Sequence, residues 1–380
     1  METVKLGLLI KKTKVARCGE HSYPVLSITK QDGIIMQSEK FKKRIASADT
    51  SDYKIIPRGK LVQGIHIDEG NFGIQDIVDN GIVSPAYGVW NVNDGLVIPK
   101  YLEMVLRSPK SIEFYRSKLT GTVNRRGHMS DADFLSMDIP LPDRDTQSKI
   151  LKTMKQTTSV LYSRQQQLAK LDELIKARFV EMFENNTYPK VKVSTVCDFI
   201  TKGTTPPNDL ISEEYSSDKV PYLKVYNLSF NGELLFDTAP QYISENIHNG
   251  MLARSKVYPN DVLMNIVGPP LGKFSLVTDE FPEWNINQAI AIFRAKEKIN
   301  PKYLLSALMQ PEVLNPFLRQ AVGIRQLNLS LSQCRDLEIF LPPLSLQNQF
   351  AAFVAEVDKS KLLAELFAQS TCILAENRSK

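Results

Sequence analysis

The tetrapeptide PKYL stands at residues 99–102 of this 380-residue chain and again, letter for letter, at 301–304. At the same spacing of 202 residues Gly121 lies over Gly323, and beyond this glycine the match continues at a spacing of 200. The further matches are KIIP at 54–57 with KVYP at 256–259, DIPLP at 138–142 with EIFLP at 338–342, and Gln147 with Gln347. A repeat this long predicts two domain-sized bodies, each with its own core, and excludes the short stacked units of a solenoid.

The composition is that of a folded protein with more than one domain, because 43% of the residues are hydrophobic and 23% are charged. No run of about 18 apolar residues occurs and the start lacks a signal-peptide pattern, so we expect a cytoplasmic protein without a membrane span. The four cysteines, at 18, 197, 334 and 372, form no CxxC pair. This pattern fits reduced thiols and gives no zinc signature.

The net charge of +5 is small for a protein that binds nucleic acid by itself, since such domains are usually strongly basic. Residues 186–342 are close to neutral, with 15 basic and 16 acidic side chains. If DNA is the partner, we therefore expect other subunits to supply much of the phosphate contact.

Residues 143–183 contain neither glycine nor proline and are rich in strong helix formers, which predicts one long helix. Apolar residues recur along it at heptad spacing, which is typical of a coiled-coil seam. The a positions are Met154, Leu161, Leu168, Ile175 and Met182, and Ile150 and Leu171 occupy d positions. Thr157, Arg164 and Arg178 interrupt the d positions, so a simple two-stranded zipper is not expected.

The repeat places a second such helix at 343–380, where Phe350, Val354 and Val357 occupy the corresponding seam sites. Alanines farther along this segment suit the close antiparallel approach of another helix. We therefore expect the two long helices to pair as struts. The alternative is that each is merely a surface helix of its own domain.

Within each copy, predicted strands come first and helices follow. Hairpins are predicted at 23–37 and 221–236 and further strands at 61–67 and 261–267, before the helices that begin at the PKYL motifs. This order indicates an α+β module. The predicted fold class is therefore α+β, with two pseudo-twofold-related domains, 1–142 and 186–342, separated by long antiparallel coiled-coil helices at 143–185 and 343–380.

No motif in the sequence indicates catalysis. The [ND]PP[YFW] clamp of amino-methyltransferases is absent, and GPPLGKF at 268–274 is one residue short of a phosphate-binding loop and has Phe274 in place of its hydroxyl residue. The four histidines show no i, i+4 pairing. We therefore expect no catalytic residue and no metal site in this chain.

Two loops at equivalent places, 122–130 and 324–330, carry side chains whose forked donors and acceptors fit the edges of bases. Their identities differ between the copies, as two readers of different sequences require. The predicted DNA contacts are Asn124, Arg125, Arg126 and His128 in the first copy and Arg325, Gln326 and Asn328 in the second. The alternative is a pair of solvated loops that join a helix to a strand.

Further DNA contacts are predicted in the hairpins and in KGTTPP at 202–207, whose hydroxyls suit phosphate. These predicted contacts are Ser27, Thr29, Lys30, Lys224, Tyr226, Asn227, Thr204 and Thr205.

DIPLPDRDTQSKI and EIFLPPLSLQNQF, each opening a long helix, together with LDELIKARFVEMF, resemble the DNA specificity subunit of type I restriction-modification systems over essentially the whole chain. DFITKGTTP and PYLKVYNLSFNG resemble the second recognition domain of that family. The resemblance implies a non-catalytic subunit with two target recognition domains, one for each half of a bipartite, asymmetric DNA site. It also implies that methyltransferase subunits, two in number, which use S-adenosylmethionine, dock on the seam residues of the two long helices. A restriction subunit that uses ATP and Mg would join them. The competing hypothesis is a protein-only scaffold without base readout.

Overall fold

The computed structural model describes residues 2–40, 49–119, 129–184, 188–323 and 327–379. The chain divides into two compact units, which we call unit 1 (Met1–Val160 with Leu374–Lys380) and unit 2 (Leu161–Ile373).

Unit 1 contains ten strands and five short helices in its described residues. The strands are β1 (Thr3–Lys5), β2 (Ile10–Lys12), β3 (Leu26–Thr29), β4 (Gly33–Met36), β5 (Lys54–Pro57), β6 (Leu61–Gln63), β7 (Phe72–Ile74), β8 (Asn80–Val83), β9 (Gly88–Val92) and β10 (Asp138–Pro140). The helices are α1 (Leu6–Leu9), α2 (Gln37–Lys40), α3 (Pro99–Leu106), α4 (Pro109–Lys118) and α5 (Asp131–Leu135).

The centre of unit 1 is an antiparallel sheet in the order β2-β9-β6-β7, and α3 packs beside it. Its core is aromatic: Phe72 stacks on Phe134 with ring centroids 5.4 Å apart, and Trp90 and Tyr115 are fully buried next to them. Proline at the first turn of α3 and α4 starts each helix where its missing N–H is harmless.

The long helix α6 (Arg144–Phe179) follows and ends in a π-helical turn at Val180–Glu184. The strands after it are β11 (Lys190–Lys192), β12 (Cys197–Lys202), β13 (Lys219–Leu223), β14 (Tyr242–Ser244), β15 (Lys256–Val257), β16 (Val262–Asn265), β17 (Val267–Gly268), β18 (Phe274–Leu276), β19 (Trp284–Ile286), β20 (Ile290–Ala295), β21 (Leu327–Asn328) and β22 (Glu338–Phe340). The helices after it are α7 (Val193–Val196), α8 (Glu245–Asn249), α9 (Pro301–Leu308), α10 (Pro311–Leu318), α11 (Leu331–Asp336) and α12 (Leu344–Ser379).

Unit 2 repeats this architecture and extends it. An antiparallel sheet in the order β12-β20-β16-β18 corresponds to the central sheet of unit 1, and a second sheet, β14-β13-β19-β15, contains the parallel pair β13 and β19. The α+β fold class predicted from the sequence is therefore confirmed.

The two long helices are paired along the part that belongs to unit 2. Phe179 of α6 meets Phe350 of α12 with ring centroids 5.5 Å apart, and farther along Arg164 lies over the ring of Phe367 at 5.8 Å. Because residue numbers fall along α6 as they rise along α12, the pair is antiparallel, as predicted.

The seam contains two residues that the sequence analysis treated as interruptions. Arg164 and Arg178 are partly buried at d positions, and their guanidinium groups lie over Phe367 and Phe353 of α12. An arginine stem packs on apolar surface and its planar head stacks on an aromatic ring, so these side chains join the seam instead of breaking it.

The predicted hairpin at 221–236 is confirmed only around its turn, where Leu228 lies opposite Leu234 in an antiparallel bridge. Residues 225–227 form a 3-10 turn, and β13 pairs with β14 and β19, which are distant in sequence. The predicted hairpin at 23–37 is confirmed as β3 and β4, whose register runs from Leu26 opposite Met36 to Thr29 opposite Gly33.

Candidate nucleic-acid interface

Five loops of unit 2 meet at one edge of the sheet, where β12 and β16 end and β20 begins. Three backbone hydrogen bonds tie them together: Gly203 N donates to Ile290 O (3.2 Å), Ile266 N to Ala289 O (2.8 Å), and Leu329 N to Ile266 O (2.9 Å). Asn287 N donates to Leu223 O (3.1 Å), which brings in the loop after β13. We call residues 203–207, 224–230, 266–273, 286–289 and 327–329 the loop edge of unit 2.

The KGTTPP segment begins this edge because its glycine passes very close to another backbone. A Cβ atom at Gly203 would lie 2.1 Å from Ile286 O and 2.2 Å from Asn287 O, so no larger residue fits. The next two hydroxyls are thereby brought against neighbouring loops. Thr205 Oγ1 accepts from Gln288 N at 3.5 Å.

An exposed arginine that the sequence analysis missed contacts this segment. Arg254 donates from Nε (3.2 Å) and Nη2 (3.1 Å) to Thr204 Oγ1, which fixes the direction of the guanidinium group. It comes from a short 3-10 turn, Ala253–Ser255, that is 50 residues distant in sequence. No local pattern marks this arginine, because its role depends on long-range strand pairing.

A buried polar network holds the turn that carries Arg254. Ser255 Oγ donates to Asn285 Oδ1 (2.9 Å), Asn285 Nδ2 contacts His248 Nδ1 (3.1 Å), and the other ring nitrogen of His248 contacts Glu283 (2.9 Å). Burial lowers the pKa of His248, and the hydrogen bond to Glu283 opposes this effect in part. The neutral imidazole is thus favoured as a structural link.

The predicted contacts at 224–227 divide into exposed and buried residues. Tyr226 is 41% exposed and Lys224 is partly exposed. Asn227, by contrast, is fully buried: its Oδ1 accepts from Lys224 N (2.9 Å) and its Nδ2 donates to Leu235 O (3.2 Å). Its assignment as a DNA contact is therefore corrected to loop positioning, because both ends of its amide are already bonded within the chain.

The GPPLGKF segment forms a braced loop at the same edge. The buried side chain of Asn265 donates to Pro270 O (2.8 Å) and accepts from Lys273 N (2.7 Å). At its end Lys273 Nζ lies 5.8 Å from the ring centroid of Phe230, which is 58% exposed. The edge thus presents a cation over an exposed aromatic ring, neither of which was predicted from the sequence.

Of the predicted second reading loop, Asn328 lies within the described residues. It is exposed on β21 and pairs with Val267 of β17, beside the braced loop. Arg325 and Gln326 lie outside the described residues, but they directly precede β21 in sequence. The chain therefore brings Asn328 to the same edge as Thr204, Thr205, Lys224 and Tyr226.

In unit 1 the predicted contacts Asn124, Arg125, Arg126 and His128 lie outside the described residues. The others lie on the β3–β4 hairpin. Ser27 Oγ accepts from Gln37 Nε2 (3.2 Å), Thr29 Oγ1 accepts from Asp32 N (3.0 Å), and Lys30 is exposed. Arg107 donates to Lys30 O (2.8 Å), which anchors this hairpin turn to the end of α3.

The predicted docking residues lie along the two long helices with graded exposure. Phe350, Val354 and Val357 are buried on α12, whereas Met154 on α6 is 43% exposed. The remaining docking residues, Ile150, Leu161, Leu168, Leu171 and Ile175, are partly buried.

In the described parts of the chain, no group of three or more His, Cys, Asp or Glu side chains is arranged to hold a metal ion. No helix among the same residues is long and apolar enough to cross a membrane.

Two solved structures share this fold. One comes from work described as the structural basis of complex assembly and conformational transition of the type I R-M system; it is 17% identical, covers 99% of this chain and 94% of that chain, and has a TM-score of 0.58. The other is the S subunit of a type I restriction-modification system from M. genitalium, 13% identical with the same coverages and a TM-score of 0.51.

A family model described as the type I restriction modification DNA specificity domain matches residues 185–368, which include the whole loop edge of unit 2. The resemblance drawn from the sequence is thereby confirmed. Residues 185–368 of this chain are therefore similar to the DNA specificity domain of type I restriction modification systems.

Proposed function

We propose that this chain is the non-catalytic subunit that reads DNA sequence in a type I restriction-modification complex, with one recognition domain for each half of a bipartite, asymmetric site. The observation that carries the proposal is the convergence of five loops on one edge of unit 2. Hydroxyl, amide and basic side chains from segments far apart in sequence lie together there.

The loop edge divides by chemistry into two kinds of contact. Thr204, Thr205 and Arg254 offer hydroxyls and a fixed guanidinium group, which suit phosphate oxygens. Arg325, Gln326 and Asn328 carry the forked donors and acceptors that fit base edges. We therefore assign positioning on the backbone to the first group and sequence discrimination to the second.

The rest of the complex enters as part of the proposal. Methyltransferase subunits dock on the long helices and bring S-adenosylmethionine, and a restriction subunit brings ATP and Mg. The near-neutral charge of 186–342 supports such an assembly, because other subunits must then supply much of the phosphate contact. We place this assembly in the cytoplasm, without attachment to a membrane.

The decisive experiment is methylation mapping with the methyltransferase partner present. Replacing Arg325 by alanine should relax one position of the second half-site at a cost of about 1–3 kcal/mol in binding, because a bidentate base contact is lost. Arg125→Ala or Arg126→Ala should relax the first half-site alone. An unchanged motif in all three variants would contradict the assignment, and absence of a gel shift by the wild-type complex would favour the protein-only scaffold.

The proposed phosphate contact has a different signature. Arg254→Ala should weaken binding about equally for all sequences and reduce the slope of log K against log salt by about 1. Lys298→Ala is the matched control, since it removes one exposed positive charge from the opposite end of β20. Equal effects of the two variants would exclude a specific role for Arg254.

A further inference from the structure

A lysine occupies a buried position in the seam between the long helices. The buried residues of α12 include Phe350, Val354, Val357, Lys361 and Ala364, which all lie at a or d positions. The lysine side chain is 9% exposed, and it is the one lysine among the buried residues of the described chain. A charged group at such a place needs a partner, since burial of an unpaired ammonium is very costly.

Lys361 has two acidic partners, and they come from different parts of unit 2. Its Nζ lies 2.5 Å from Asp172 Oδ1 on α6 and 3.7 Å from Glu233 Oε1 in the loop after β13. Burial lowers the pKa of Lys361, but the hydrogen bond and the charge of Asp172 oppose this effect, and with the other nearby carboxylates they leave the pKa raised. The ammonium form is therefore favoured. One side chain thus connects both long helices to the loop after β13.

The loop that Glu233 belongs to is also the loop that carries an exposed aromatic ring of the interface. Ser229 Oγ accepts from Glu233 N (2.7 Å) and donates to Glu233 O (2.9 Å), which closes residues 229–233 into a tight unit. Phe230, at the loop edge, lies inside that unit. A contact to Glu233 therefore acts on the placement of Phe230.

Stability alone does not explain a lysine here. A buried ion pair is often no more stabilising than well-packed apolar residues of similar volume, whereas a polar residue in a seam can specify one arrangement. At the repeat spacing of 200 the first copy has Leu161 at this position, so the same seam site also accepts an apolar residue.

We propose that Lys361 is a positioning residue, which fastens the loop 229–233 to the paired helices and so fixes where Phe230 stands at the loop edge. The contact between Lys361 and Glu233, and its effect on the loop 229–233, depend on the fold alone. Its consequence for DNA rests on the proposed function.

Hydrogen exchange on the free, full-length chain tests the fastening. Lys361→Leu should speed exchange of amides 229–234 about tenfold, the effect of losing roughly 1.4 kcal/mol of local stability, while amides near 361 on α12 stay as protected as before. Glu233→Gln should give the same loop effect. Lys361→Arg, which keeps the charge, should retain the protection of the loop.

Lys359→Leu is the matched control, because this exposed lysine pairs with Glu356 of its own helix. It should change neither region. Unchanged loop exchange in Lys361→Leu would overturn the inference, and so would equal loosening of the loop and of α12, which would indicate general destabilisation.

Methylation mapping then tests the link to DNA. If loop protection is lost while discrimination at the second half-site is unchanged, the link from Lys361 to recognition is wrong although the fastening stands. If the wild-type complex shows no sequence-specific methylation, the proposed function fails and the exchange result is unaffected.

Discussion

The two units use the same contacts where a long helix begins and different contacts at their loops. Gln147 accepts from Ile98 N (2.8 Å) and donates to Pro142 O (2.8 Å); Gln347 accepts from Asn300 N and donates to Pro342 O at the same two distances. We call these two helix starts, with the segments they contact, the roots of α6 and α12. Each root also contains a tyrosine whose hydroxyl donates to the carbonyl oxygen of the last residue of a short strand, Tyr101 to Pro140 O and Tyr303 to Phe340 O.

The loops show no such agreement. Asn265, which braces the loop edge of unit 2, corresponds in the repeat to Gln63, which instead accepts from Trp90 Nε1 (2.9 Å) inside unit 1. The two units thus share the contacts at the root and differ in their loops. This is the arrangement expected of one frame that binds two different ligands. The comparison therefore separates residues that hold the frame from the loop residues that we propose to read DNA.

The largest expected effect lies where the roots themselves differ in packing. Phe350 is fully buried against Phe179 and Phe183, whereas its counterpart Ile150 is partly buried. Phe350→Ala should lower the free energy of unfolding by about 3–5 kcal/mol, and Ile150→Ala by about 1–2 kcal/mol, because a partly buried site leaves a smaller cavity. Urea denaturation of the two variants measures the difference, and equal losses would show that the two roots are packed alike.

The second prediction tests the contact that the roots share. Gln347→Leu and Gln147→Leu should each cost about 2–3 kcal/mol of unfolding free energy, because each leaves a buried backbone N–H and C=O without a partner. Gln349→Leu, at an exposed position of α12, is the control and should change little. A large loss in one unit with a negligible loss in the other would break the equivalence of the roots.

The sequence predicted the frame better than the reading edge, for a physical reason. Heptad spacing along 143–183 depends on residues a few positions apart, so the seam could be predicted directly, and the repeat with the alanines of 343–380 predicted its antiparallel partner. The stacking of Arg164 and Arg178 on α12 could not, since it needs an aromatic ring from another helix.

The loop edge depends on pairing between distant strands. Arg254 reaches Thr204 because β13 and β19 run parallel and β15 joins them, which no local pattern indicates. For the same reason the sequence did not show that β13 pairs with β14 and β19 instead of with 234–236, and Asn227 was expected to face DNA although its amide holds a turn. The match of β1 and β11, both ending in a Val-Lys pair, was too short to recognise.

The third prediction separates edge from frame. Tyr226→Ala and Phe230→Ala remove exposed side chains, so each should change the free energy of unfolding by about 0.5 kcal/mol or less. In the proposed complex with a methyltransferase, each should weaken specific DNA binding by about 1–3 kcal/mol if the ring stacks on a base or a sugar. Gel shifts measure the change in DNA affinity, and urea denaturation measures the change in the free energy of unfolding. A variant that loses stability and affinity together would belong to the frame.

The smallest expected effect sharpens the comparison of the two units at Asn285, which occupies the place of the apolar Val83 in the repeat.

His248, the neighbour of Asn285, is buried with Glu283, Lys256 and Glu245 around it, and burial, the largest cause, lowers the pKa of His248. A lowered pKa in the folded state means that the unfolded chain binds the proton more readily. The neutral imidazole therefore contributes its full share of the free energy of unfolding above the ordinary histidine pKa of about 6.5. This contribution is lost as the pH falls from there toward the lower pKa of His248 in the folded chain, by at most about 1.4 kcal/mol per pH unit. His248→Gln should flatten the dependence of unfolding free energy on pH just below about 6.5, and Glu283→Gln, which removes the acceptor that favours the protonated ring, should steepen it. If His248→Gln leaves the slope as it is, the buried network that carries Arg254 does not hold a neutral imidazole.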